Sequence, residues 1–137
     1  MTLRFLLDTN ICIYIQRSKP AEVLARFRKL RQGEAGISAI THGELLFGAM
    51  KSRQRERALA EIAELTLWVP ALALPEAASL RYAMLRADIE AAGKPIGGND
   101  LWIAAHALAA DLILVTNNER EFKRVTGLRV QNWVNPT

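Results

Sequence analysis

Short unbroken apolar runs alternate along this chain with longer segments of helical spacing. Residues 35–38 and 112–116 are such runs, residues 3–7 form another interrupted only by Arg4, and all three predict strands without polar alternation. Residues 67–72 and 129–131 predict two further strands. Helices are predicted over 11–16, 20–30, 41–50, 54–64, 75–92, 100–109 and 119–125. Pro20 opens the second of these, and Gly93-Lys94-Pro95 ends the fifth. Strands that alternate with helices and lack a polar face imply an α/β domain. Its central sheet is expected to be mostly parallel and covered by helices on both faces.

A length of 137 residues fits one domain, residues 1–137, and a half-hydrophobic composition is enough for a core. No stretch is long and apolar enough to predict a membrane span. The first residues lack a signal-peptide layout and run directly into a strand pattern. Cys12 is the single cysteine, so no internal disulfide forms, which fits a reducing cytoplasm. A small buried apolar role is expected for it.

Four acidic motifs stand where a strand passes to a helix or a helix begins. They are Leu6-Leu7-Asp8-Thr9-Asn10, Thr41-His42-Gly43-Glu44, Gly98-Asn99-Asp100 and Asn117-Asn118-Glu119-Arg120-Glu121-Phe122. Asp8, Glu44 and Asp100 sit against apolar neighbours, where carboxylates are costly unless paired or bound to a cation. Each also has a simpler reading. Asp8 and Asn99-Asp100 suit N-caps, while Thr41-x-x-Glu44 and Asn118-x-x-Glu121 look like capping boxes. The readings are compatible, because helix N-termini favour carboxylates. Asp8 and Thr116-Asn117 follow different strands and are expected at the same sheet edge, where open parallel sheets bind ligands.

Four oxygen-donor acids in apolar settings suggest a shared site for a hard cation, Mg²⁺ or Mn²⁺. Two histidines, His42 and His106, and one cysteine are too few for an ordinary zinc site. His106 is expected to pack or face solvent, and Trp68, Trp102 and Trp133 to serve a core or interface. The formal charge is +4. If the four acids share one site, 18 basic residues face only 10 remaining acidic ones. Arg17, Lys19, Arg26, Arg28, Lys29 and Arg31 form one basic cluster, and Lys51, Arg53, Arg55 and Arg57 another. They read either as solvated helix faces or as a polyanion-binding exterior. Arg26, Arg28, Lys29, Lys51 and Arg53 are the candidates for contact with a nucleic-acid polyanion.

The motifs resemble those of PIN-domain ribonucleases of the VapC toxin kind, from bacterial toxin–antitoxin pairs. The resemblance runs from Arg4 to Val134. It rests on Leu6-Leu7-Asp8-Thr9-Asn10, Ser38-x-x-Thr41-x-x-Glu44-Leu45-x-x-Gly48-Ala49, Gly98-Asn99-Asp100-x-x-Ile103-Ala104-Ala105 and Val115-Thr116-Asn117-Asn118-x-x-Glu121-Phe122. It implies a PIN-like fold and metal-assisted hydrolysis of RNA phosphodiesters, with Asp8, Glu44, Asp100 and Glu121 as the catalytic acids. Asp8, Glu44 and Asp100 would be the metal ligands and Glu121 a looser fourth member. Thr116 would support the site by hydrogen bonding, beside Asn117, which stands where several members carry Asp.

The resemblance also implies a cytoplasmic toxin, a homodimer, a transfer-RNA target and a small cognate antitoxin. A partner helix could dock on the apolar faces around Ile11-Cys12-Ile13-Tyr14 and Leu45-Leu46-Phe47, unless these are ordinary core. A haloacid-dehalogenase-type phosphatase would need an acid where Asn10 stands. A receiver domain would need a strand-end Lys that is missing. The remaining alternative is a catalytically inactive, basic RNA-binding or regulatory module.

Overall fold

In the computed structural model, which describes residues 2–134, five parallel strands form one sheet in the order β3-β2-β1-β4-β5. The strands are β1 (Phe5–Leu7), β2 (Ala35–Ser38), β3 (Ala71–Leu72), β4 (Ile113–Val115) and β5 (Val130–Gln131). Seven helices connect them: α1 (Thr9–Arg17), α2 (Ala21–Arg28), α3 (Ala39–Met50), α4 (Arg55–Trp68), α5 (Ala78–Ala91), α6 (Gly98–Ala109) and α7 (Glu119–Phe122).

Alternate residues of β1 feed two cores. Phe5 and Leu7 pack against Ile11, Ile15, Val23, Leu45, Ile62 and Leu65, which come from α1 to α4. Leu6 faces the other way, against Leu85, Ile89, Leu101, Ile103 and Phe122 from α5, α6 and α7. Both sheet faces are therefore covered, and this is why the strands carry no polar alternation. Trp133 closes one side of the sheet, fully buried and edge-on to Phe5 with ring centroids 5.7 Å apart.

The order of the strands locates the site. The chain builds outward from β1 to β2 and β3, then returns to place β4 on the other side of β1. Leu7 is paired with Val115, and the Asp8 N–H donates to the Val115 carbonyl at 3.0 Å. The crevice beyond the carboxyl ends of β1 and β4 is the topological switch point, where such sheets bind ligands.

One expected strand is shorter than its sequence suggests, its first two residues belonging to a helix. Residues 67–72 carry β-favouring Trp68 and Val69, yet α4 runs on to Trp68. Ile62, Leu65 and Val69 are buried while Leu67 and Trp68 are exposed, which is helical spacing. Val69, pushed out of the helical region before Pro70 (φ −127°, ψ 82°), ends the helix and leaves only Ala71–Leu72 for β3.

Candidate active site

Asp8 is 6% exposed at the end of β1 and caps α1, its Oδ1 accepting the Ile11 N–H at 2.9 Å. Glu44 projects from the second turn of α3, Asp100 from the first turn of α6, and Glu121 from α7. The sheet brings these four segments to one edge.

Their electrostatics show that they share a space. Burial pushes the Asp8 carboxyl up to about 6, against hydrogen bonds from the Thr116 hydroxyl and the Ile11 N–H, with Asp100 and Glu44 adding repulsion. Asp100 is also raised to about 6, by burial and then by Glu121 and Glu44. Among the described residues, none of the four acids is in an ion pair.

Uncharged donors hold the two glutamates instead. The Thr9 hydroxyl donates to Glu44 Oε1 at 2.6 Å, and the Asn99 amide donates to Oε2 at 3.4 Å. Asn118 Nδ2 donates to Glu121 Oε2 at 2.8 Å, and the Gly97 N–H reaches Oε1 at 3.3 Å. Thr116 is fully buried, and its oxygen accepts the Asn118 N–H at 2.9 Å. One hydroxyl thus supports Asp8 and fixes the loop that leads to Glu121.

Most of the simpler capping readings fail here. Of the four acids only Asp8 is a true cap. α3 starts at Ala39 behind Ser38, so Thr41 and Glu44 lie inside it and form no capping box. α6 starts at Gly98, with Gly97 as a cap that makes no side-chain bond, so Asp100 is its third residue. Asn118 precedes α7, but its backbone N–H goes to Thr116 rather than to Glu121.

The donor chemistry fits a hard divalent cation: oxygen only, excess negative charge and, among the described residues, no positive group paired with any of the acids. The side chains are not closed around one. Among the described residues, no three His, Cys, Asp or Glu stand close enough to hold an ion as they are. Like charges with nothing between them repel, and an open cluster is what that predicts.

Asn117 is exposed at the rim. Its Nδ2 lies 3.4 Å from the Tyr14 hydroxyl, and its Oδ1 accepts from Asn132 at 3.2 Å. His106 is buried with Nδ1 2.9 Å from the Ser38 hydroxyl, and burial holds its pKa below the usual value. Cys12 is fully buried, which raises its thiol pKa and leaves it an apolar core residue. Trp102 stacks on Tyr82 with centroids 3.8 Å apart, and Trp68 is exposed.

The basic candidates separate. Arg26 is held at the sheet edge, donating to Gln131 Oε1 at 3.1 Å and lying 5.5 Å over Trp133, so it packs rather than standing free. Arg28 and Lys29 are exposed at the end of α2. Lys51 stands 4.6 Å over the exposed Phe47 ring and lines a groove shared with Thr9, Glu44 and Asn99. Arg53 is exposed just beyond it.

Thr9, Asn99 and Asn118 are the site residues that sequence reasoning missed as such. All three lie within the motifs, but only the fold shows that they turn toward glutamates rather than toward their own backbone. A PIN-domain family profile matches residues 5–128, nine-tenths of the chain. The chain belongs to the PIN-domain family. Within that family it is similar to the VapC ribonucleases. It is 46% identical over 131 residues to the tRNA(fMet)-specific endonuclease VapC of Shigella flexneri, covering 96% of this chain and 98% of the relative. It is 42% identical over 132 residues to Ribonuclease VapC2 of Haemophilus influenzae, covering 96% and 99%. Among solved structures, the DNA-bound VapBC of Salmonella typhimurium matches with a TM-score of 0.90 at 39% identity, over 96% of this chain and 99% of that one.

Proposed function

We propose that this PIN-domain protein is a divalent-metal-dependent endoribonuclease, a toxin restrained by a cognate antitoxin, with transfer RNA as its substrate class. The observation that carries this is the convergence of Asp8, Glu44 and Asp100 at the switch point, where among the described residues no Lys or Arg side chain is paired with any of them. The Shigella relative's specificity supports the transfer-RNA reading. The alternative of an inactive binding module finds no support, since all four acids are present and brought to one edge.

Asp8, Glu44 and Asp100 would hold Mg²⁺ or Mn²⁺, with Glu121 in a looser position. Such a cation supplies Lewis-acid chemistry, neutralising phosphate charge and making water a better nucleophile. The chain's own contribution is placement. Asp8 is fixed by its cap bond, Thr116 keeps it ionisable, and Lys51 draws the polyanion to the rim.

The VapBC structures support an antitoxin partner. A groove lined by Ile13, Leu45 and Ile62 leads away from Glu44, and another lined by Ile15, Phe27, Leu65 and Trp68 lies beside α4. Of the expected docking faces, Ile11 and Cys12 are instead fully buried core. The homodimer is proposed from the family resemblance, with exposed Leu80 and Met84, one turn apart on α5, as candidate contacts. Among the described residues no helix is long and apolar enough to cross a membrane; the cytoplasmic location is proposed with the toxin reading.

The test is cleavage of transfer RNA by purified protein with Mg²⁺ or Mn²⁺, abolished by chelator and restored by metal. Full activity in excess chelator refutes the metal. Expression alone should arrest growth of the host, and co-expression of the neighbouring small protein should relieve it. Harmless expression of a protein active in vitro refutes the toxin reading alone.

A further inference from the structure

Both oxygens of Glu44 are engaged by residues remote in sequence, and each partner is the chain neighbour of another site carboxylate. Thr9 follows Asp8 and donates to Oε1 at 2.6 Å. Asn99 precedes Asp100 and donates to Oε2 at 3.4 Å. Glu44 therefore fastens the first turn of α1 to the first turn of α6 across α3.

Thr and Asn at helix N-termini ordinarily spend their side chains on nearby backbone. Neither does so here. α1 is already capped by Asp8, and α6 has Gly97 as its cap residue. The fully buried Thr41 hydroxyl lies 3.4 Å from that of Thr9. A hydroxyl has one proton, and Thr9 commits its own to the shorter bond with Glu44. Any hydrogen bond in the longer contact would then be donated by Thr41.

We propose that Thr9 and Asn99 are positioning residues that set the carboxylate plane of Glu44 relative to Asp8 and Asp100, and so the geometry in which the three acids take a divalent cation. The inference rests on the nuclease reading above and extends it to residues that are not themselves ligands. Thr9 carries the larger share, because its bond is shorter and better shielded than that of Asn99. Partners of this outer kind typically change metal affinity or activity by about 10–100-fold.

The experiment compares wild type with Thr9→Val, Thr9→Ser and Asn99→Ala. It measures Mn²⁺ binding by calorimetry on the protein without RNA, then kcat and KM for RNA, and thermal unfolding in chelator. Thr9→Val keeps the branched shape and removes only the hydroxyl. It is expected to weaken Mn²⁺ binding and kcat by about 10–100-fold, with KM and the metal-free melting temperature unmoved. Thr9→Ser is expected to restore both, and Asn99→Ala to show a smaller loss in the same direction. Wild-type Mn²⁺ affinity in Thr9→Val, tighter binding in it, or an equal loss in Thr9→Ser each overturns the proposal. A loss matched by the unfolded fraction also overturns it, because the hydroxyl would then be merely structural. Absence of Mn²⁺ binding by the wild type strikes instead at the nuclease reading on which the proposal rests.

Discussion

Asp8 shows how one residue serves fold and site together. Its carboxylate caps α1, yet burial and the nearby Asp100 and Glu44 make its charge costly. The sign of the pH dependence follows. Its folded-state pKa, about 6, lies above the ordinary aspartate value of 3.8. The stability tied to the protonated form is fully present below about pH 4 and is lost as pH rises through 6. The rise from 3.8 to about 6 corresponds to roughly 3 kcal/mol, as an upper bound for the metal-free protein. Asn is as good a cap as Asp. Metal-free Asp8→Asn should therefore match wild type near pH 4, exceed its stability by up to about 3 kcal/mol at pH 7.5, and lack cleavage. Asp100→Asn should behave alike, with a smaller gain since Asp100 is less buried. Denaturant unfolding in chelator at the two pH values checks this. A mutant-to-wild-type difference that does not change with pH contradicts the electrostatic account.

Among the elements, α4 marks where the sequence misleads and why. Thr66, Leu67, Trp68 and Val69 favour a strand locally, but buried Ile62, Leu65 and Val69 follow the helical period. Local preference and long-range burial disagree there, and burial decides. The two readings differ over Leu67. A strand over 67–72 would put Leu67 and Val69 on one face, yet Leu67 is 69% exposed while Val69 is buried. Leu65→Ala is expected to cost about 2–5 kcal/mol, and Leu67→Ala less than about 0.5 kcal/mol. Comparable losses at both positions in thermal unfolding would return this segment to a strand. By contrast β1, β2 and β4 were legible, because a strand buried on both faces leaves an unbroken apolar run. The four acids were legible too, through their motifs. What escaped was the hydrogen bonding around them, since nothing local to Thr9 points to a glutamate 35 residues away.

For the whole molecule, the decisive contrast is between an acidic crevice and a basic exterior. Composition gives the excess of positive charge but not its placement, and the fold sorts the candidates by their neighbours. Arg26 is committed to Gln131 and Trp133, and Arg55 donates to the Met50 carbonyl at 2.8 and 3.2 Å. Lys51 lines the groove that contains Glu44, with Arg53 exposed close by in sequence, whereas Arg28 and Lys29 end a different helix. A phosphodiester chain entering the crevice should therefore meet Lys51 and Arg53 first. In an Asp8→Asn background, which separates binding from cleavage, Lys51→Glu with Arg53→Glu is expected to weaken RNA binding. It should also flatten the dependence of log affinity on log salt by about 0.7 for each phosphate of a single strand that the protein no longer neutralises. The pair Arg28→Glu and Lys29→Glu is expected to leave that slope unchanged, although it alters net charge by the same amount. Equal flattening by both pairs would mean that the protein attracts RNA through its overall charge, and that the groove beside Glu44 does not guide the strand.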